Sequence, residues 1–373
     1  MVSRRAAITL LLYVAVVVSL LAFCYASPSY NWDMLAYAAV VLDDGQVSPE
    51  VLHTEVYRTA AEETPEAEYS MMVDTTHALR SEVLRSPERF YQFLSYFRVK
   101  PLYTAMCSAL HSLGVPLMKS TVLPSALGIF AIALMVFYRF SRTVPFWAAA
   151  ILGLSVICTP PVTEAARLST PDALSTALLV GALLVYLYRA NVYWFIGLIV
   201  LAVFARLDNV IPATIFLLSL LVSDGKEQNG KAVALVVVGT MVLLFAYTWL
   251  IMRYAEYNGG FEEFYGGLTR KWNPVLLVGD ALQGLRTIKT SYLALGGISF
   301  VVLFHRKGFR LTALDRNQFL FLTATVAVVV RYVLFPDLTT RFFLWYYILC
   351  WVLIAEGIVM SYKPGPIERS TSD

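Results

Sequence analysis

The sequence predicts an all-α, polytopic integral membrane protein of about ten transmembrane helices, on three grounds: its composition, its long apolar runs and where its charges fall. Of 373 residues, 58% are hydrophobic and 15% charged, and the mean hydropathy is +0.65. A soluble domain is about 45–50% apolar and about 25% charged. That difference excludes a soluble enzyme and a disordered chain. A net charge of +3 over this length leaves no basic face for a phosphate backbone, so no nucleic-acid partner is expected. Cys24, Cys107, Cys158 and Cys350 all lie in apolar runs without a CxxC pair, and are expected as buried small hydrophobes.

The apolar runs are taken in chain order against the roughly 20 residues a crossing needs. The first, 8–26, follows Arg4-Arg5. It is read as an uncleaved first helix (domain 1–26), because its core exceeds the usual 7–15 residues of a signal sequence. Residues 27–117 form an outer segment. Its part 27–100 holds twelve Asp/Glu against six Lys/Arg, an acidic lid rather than an anionic-lipid patch. Asp33–Asp43, Pro49–Glu63 and Thr76–Phe97 read there as short helices, punctuated by Asp44-Gly45, Pro65 and Pro87. Pro101–Val115 reads as an interfacial helix bounded by Pro101 and Gly114.

Spans two to six are expected within 118–222, at 118–138, 144–159, 172–188, 192–205 and 210–222, with a turn at Arg206-Leu207-Asp208-Asn209. Residues 223–373 supply spans seven to ten, at 232–252, 291–304, 317–334 and 342–360, with an outer loop over 253–289. Lys and Arg concentrate in short cytoplasmic loops. Arg139, Arg142, Arg189, Lys226, Lys231, Arg306, Lys307, Arg310, Arg316, Lys363 and Arg369 then fall inside, with both termini cytoplasmic.

Charges at membrane depth are costly, so each is a candidate functional residue. Here they gather on the outer side: Asp33, Arg98, Lys100, Glu164, Arg167, Asp172, Arg206, Asp208, Arg331, Asp337 and Arg341. Carboxylates beside several Lys and Arg suit an amphiphile with a phosphate head, since guanidinium and ammonium groups pair with phosphate oxygens. A neighbouring carboxylate can take the proton of an attacking hydroxyl. Such chemistry requires no cofactor and no metal, and a divalent cation is optional. His53 and His77 are expected to be solvated, with a metal pair the lesser reading, His111 packed at the interface, and Glu356 interfacial at the inner end of the last span, with an ion pair the lesser reading.

Several of these residues sit in motifs. Tyr30-Asn31-Trp32-Asp33-Met34-Leu35-Ala36-Tyr37, directly after the first span, resembles the first outer loop of GT-C glycosyltransferases, in particular the protein-mannosyltransferase and aminoarabinose-transferase branches. Val99-Lys100-Pro101-Leu102-Tyr103 resembles the Lys/Arg-Pro-Leu-Tyr segment of that family. Glu164 to Leu174 is similar to its second outer loop, Ala205 to Asn209 to its Arg-Pro-x-Gly turn, and Thr340-Arg341-Phe342-Phe343 to its late Arg-Tyr/Phe pattern. The likeness runs in order over about residues 1–220 and thereafter only at Arg341.

The resemblance implies a GT-C-like fold in the plasma (inner) membrane and transfer of one sugar from a polyprenyl-phosphate donor to a glycan, lipid or protein acceptor on the extracytoplasmic face. Asp33 would be the general base. Lys100, with Arg98, would hold the donor phosphate, and Asp172 would support the sugar or Lys100. Arg206 and Arg341 would be further phosphate contacts, and Tyr37, Glu164, Arg167 and Arg331 complete the expected substrate-binding set. The chain departs from the family at Met34, where many members carry a second acidic residue, and it lacks their large C-terminal outer domain. Two alternatives stay open: a transporter or flippase of a lipid-linked sugar, and a non-catalytic subunit of an envelope-glycan assembly.

Overall fold

The structure, a computed structural model, describes residues 4–76, 78–188, 191–223, 230–257, 290–305, 314–334 and 340–362, together with Gly279. The described residues are helical throughout, apart from turns and one isolated bridge between Ser29 and Leu168. Five helices are long and apolar enough to cross a membrane: α1 (Arg4–Ala26), α9 (Leu117–Ser141), and the stretches Lys231–Tyr254, Arg316–Leu334 and Arg341–Val359. The pair α10 (Phe146–Ile157) and α11 (Pro160–Arg167) makes a sixth if counted as one segment, bent by 67°. The chain is therefore an all-α membrane protein.

The other apolar runs fold as helices of 14–16 residues: α12 (Asp172–Leu187), α13 (Val192–Ala205), α14 (Val210–Ser223) and, further on, α16 (Thr290–Phe304). The 192–222 region is indeed two helices. They are parted by a 3₁₀ turn at Leu207–Asn209, where the Asn209 amide donates to Ser175 Oγ (2.8 Å) and the Ala202 carbonyl (2.8 Å). The remaining long helices are α15 (Gly230–Tyr257), α17 (Arg316–Leu334) and α18 (Leu344–Tyr362), the last preceded by a 3₁₀ turn at Thr340–Phe343.

The acidic segment between α1 and α9 folds into seven helices. Three follow the expected punctuation: α2 (Asp33–Leu42), α3 (Pro49–Glu63) and α8 (Pro101–Ser112). Pro occupies the first turn of α3 and α8, where its missing N–H costs nothing. Gly114, at φ +92°, follows α8 in the left-handed region. The expected Thr76–Phe97 helix is instead three: α5 (Ala78–Arg85), α6 (Pro87–Phe93) and α7 (Ser95–Arg98). Ser86 restarts the helix by accepting a hydrogen bond from the Arg89 N–H. A further helix, α4 (Glu66–Met72), was not expected because its acidic first turn lacks an apolar stripe.

This segment carries its own core. Met34, Leu35, Tyr37, Leu52, Val56, Phe90, Phe97 and Tyr103 pack with Leu117 and Met118 at the start of α9. The main core joins α1, α9, α12, α13 and α18, with Tyr13 of α1 donating to the Ala133 carbonyl at 2.6 Å. Three cysteines are buried in these cores, but Cys158, at the α10–α11 bend, is exposed because the break turns it out of the packing.

Two further expectations are corrected. His53 is half-buried rather than solvated, its ring tilted against Tyr57 at 4.4 Å with Nε2 3.3 Å from the Val83 carbonyl. Glu356 is 4% exposed and ion-paired with Arg139 of α9, with the Asn317 amide donating to its other oxygen at 3.3 Å. His111 packs as expected, Nδ1 lying 3.1 Å from the Val115 carbonyl. His77, Asp337, the inner basic residues Arg189, Lys226, Arg306, Lys307, Arg310, Lys363 and Arg369, and most of the 253–289 loop lie outside the described residues.

Candidate active site

A cavity of about 470 Å³ opens where the acidic segment meets one end of the helical bundle. Its polar wall holds Asp33, Lys100, Asp172, Arg206, Asp208, Arg331 and Arg341, delivered by separate elements. Its other wall is apolar, with Val210, Ile211, Met252 and Leu334.

Each polar side chain is placed by a local device. Asp33 opens α2, and the four residues after it are buried, so this helix reaches the cavity only through Asp33 and, one turn on, Tyr37. The approach to Asp33 is held by Ser29, whose N–H donates to the Arg167 carbonyl (2.9 Å), and by Arg167 Nε, which donates to the Ser27 carbonyl (2.6 Å). Lys100 precedes Pro101, which bars the helical conformation at residue 100 and starts α8 one residue later. Asp172 begins α12, where a carboxylate meets the positive end of the helix dipole. Arg206 takes an extended conformation at the end of α13 (φ −156°) and leads into the 3₁₀ turn carrying Asp208.

The charges interlock. Asp208 accepts two hydrogen bonds from Arg206 (2.5 and 3.0 Å) and two from Arg331 (2.9 and 3.3 Å). Arg206 also pairs with Asp172. Arg341 bridges Asp172 and Asp33, at 3.3 Å to each. Phe342 lies beneath all three guanidinium groups, 4.0 Å from Arg206, 4.9 Å from Arg331 and 5.5 Å from Arg341. Aromatic faces attract such cations, and here they gather three like charges on one ring.

Lys100 stands apart. Its ammonium donates to the Tyr37 hydroxyl at 2.9 Å and lies 4.8 Å from the Phe97 ring, without an ion pair among the described residues. Burial pushes its pKa down to about 8, an effect opposed by the nearby Asp33 carboxylate. Burial also works against the charged form of Asp208, but Arg206 and Arg331 outweigh it and hold that carboxyl below the ordinary range.

Of the expected site residues, Asp33, Tyr37, Lys100, Asp172, Arg206, Arg331 and Arg341 therefore share one cavity. Three do not line it. Arg98 is buried against Asp43 (2.5 Å) and stacked on Tyr91 at 4.3 Å, fixing the end of α2. Glu164 is exposed on α11, and Arg167 is used up on the Ser27 carbonyl and the Phe23 ring. Asp208 and Thr170 are the additions. Asp208 stood among the polar exceptions without a role, and its position two residues after Arg206 was its signal. Thr170, 2% exposed, lines the cavity with a hydroxyl that makes no hydrogen bond, a feature invisible in sequence.

Four cations and three carboxylates line the cavity, a surplus of one positive charge. That arrangement suits an anionic group brought in beside an apolar chain. No family model, curated protein or solved structure matches this chain.

Proposed function

We propose that this protein is a GT-C-type glycosyltransferase that moves one sugar from a polyprenyl-phosphate donor to an acceptor hydroxyl on the extracytoplasmic face of the plasma membrane. One observation carries the reading: Asp33, Lys100, Asp172, Arg206, Arg331 and Arg341 come from distant parts of the chain and meet at one cavity with an apolar opposite wall.

In this reading the donor phosphate sits among Lys100, Arg206 and Arg341, and the first isoprene units lie along Val210, Ile211, Met252 and Leu334. The Asp33 carboxylate accepts the proton of the acceptor hydroxyl as its oxygen attacks the sugar C1. The bond from C1 to the phosphate oxygen breaks, and its electron pair leaves on the lipid phosphate. The surrounding cations stabilise that departing charge, the term that usually dominates such catalysis. Thr170 and Asp172 stand where they can bond sugar hydroxyls. The reading also takes all ten apolar helices as crossings, with the termini cytoplasmic, because this places the basic loops inside.

The charges lie at one end of the bundle rather than at mid-depth, which favours an enzyme over a transporter. Asp33→Asn keeps the shape of the side chain and removes the base. Transfer measured with membranes holding the variant at native abundance should fall at least about a hundredfold, the usual range for a lost general base. An active Asp33→Asn protein would sink the assignment. Mass spectrometry of lipid-linked sugars in cells with and without the protein would name the donor, as the species that accumulates.

A further inference from the structure

We propose that Arg341 is a transferable cation: it holds Asp33 until a phosphate oxygen takes over the guanidinium, and so releases the base only when the donor is bound. This rests on the proposed reading of the cavity as a phosphate-headgroup site.

The three arginines of the network are not held alike. Arg206 and Arg331 grip Asp208 through short bonds (2.5 and 2.9 Å), and their side chains are 12% and 8% exposed. Arg341 is 28% exposed, and its two contacts, to Asp33 and Asp172, are both 3.3 Å. Its Nε lies near Asp172 but off the hydrogen-bond direction, so this buried N–H makes no hydrogen bond. A buried donor in that condition gains most from a new acceptor. The charge-assisted bond to a phosphate oxygen is the stronger kind such a group can form.

The cost of the exchange is low because of what Arg341 leaves behind. Asp172, 2% exposed, keeps Arg206 as partner and is not stranded as an uncompensated buried charge. Asp33 is 27% exposed and faces the cavity, where it can meet the acceptor hydroxyl. The Asp33 oxygen that would receive the acceptor hydroxyl's proton is the one that now accepts from Arg341, so the guanidinium occupies the place the hydroxyl needs. Arg341 thereby couples donor arrival to the access of a hydroxyl to Asp33. It is a positioning residue as well as a phosphate contact, and the coupling guards Asp33 against acting without a donor.

A double-mutant cycle on the purified full chain in detergent tests the coupling, with farnesyl phosphate as probe and farnesol as the uncharged control, read by titration calorimetry. If Asp33 and phosphate compete for Arg341, Asp33→Asn frees the guanidinium. It should then tighten farnesyl phosphate about three- to tenfold, within the range of coupling between contacting charged residues. In an Arg341→Gln background the same Asp33 change should alter affinity by less than about twofold. An equal gain in both backgrounds means that Asp33 acts by simple repulsion, and the exchange is overturned. If Arg341→Gln fails to fold, Arg341→Lys replaces it: a lysine loses the fork that spans two carboxylates, and a gain as large as in the native background again overturns the exchange. Binding of farnesyl phosphate no tighter than farnesol by the native chain is a different result, for it refutes the headgroup site itself.

Discussion

Lys100 is the residue whose chemistry is most exposed to pH. Its ammonium is buried against Tyr37 and Phe97 and titrates at about 8, against 10.5 for an ordinary lysine. Only the protonated form attracts phosphate, and the phosphate keeps its second charge only above about pH 6. Farnesyl phosphate affinity should therefore be highest at about pH 7 and fall as pH rises through about 8. Lys100→Arg should remove that fall, and Lys100→Ala should weaken binding about tenfold or more at pH 7, as loss of a charged hydrogen bond does. The stability consequence has the opposite sign. Between about 8 and 10.5 the unfolded chain binds the proton and the folded chain does not, so unfolding free energy rises with pH there. Sequence marked this lysine through the Lys-Pro junction and the apolar segment behind it. It could not show that Tyr37 would be its partner, because that contact spans 63 residues. Arg98 shows the converse: it has the same charge two positions earlier, but the helical turn of α7 swings it to Asp43 instead.

At the scale of elements, the site depends on how closely α12 can approach α9. A Cβ built on Gly128 would lie 2.7 Å from the Ala173 carbonyl oxygen, in the first turn of α12 beside Asp172. Backbone cannot give way as a side-chain tip can, so Gly128→Ala must push that turn outward. A loss of about 1–3 kcal/mol in stability is expected, with a smaller rise in melting temperature on adding farnesyl phosphate than in the native chain. An unchanged ligand response would show that Asp172 tolerates the shift. A second element contact joins lid to bundle: the Glu63 carboxylate accepts the N–H groups of Leu117 (3.0 Å) and Met118 (2.8 Å), capping α9 from the end of α3. Glu63→Ala should cost about 1 kcal/mol, as lost caps do, and raise hydrogen exchange at those two amides before any other part of α9. Helix limits were largely legible, because Pro, Gly and Ser punctuate the lid and apolar runs mark the bundle. Pro87 marked the break at Ser86, but the break at Leu94 and the acidic helix α4 were not legible, since neither carries a period that sequence can register.

For the whole molecule, two cores meet at the cavity, one formed by the lid and one by the bundle. Apolar runs revealed where the bundle helices lie, but lengths of 14–16 residues in α12, α13, α14 and α16 fall short of the roughly 20 a simple crossing needs. The topology is testable by labelling single cysteines in a Cys158→Ser background, since the native Cys158 is exposed. A cysteine at Glu164, which is exposed beyond the α10–α11 bend, should react with an impermeant maleimide from outside. One at Arg142, exposed past the end of α9, should react only after permeabilisation, and labelling of both in intact cells would overturn the ten-span arrangement. At the end of the bundle away from the cavity, Glu356 of α18 meets Arg139 of α9. These two residues lie more than 200 positions apart in the chain, so the pair closes only when the last helix docks beside α9. Closure of this end of the bundle therefore waits on the last helix, and a chain truncated before Glu356 should melt at a lower temperature than the full chain.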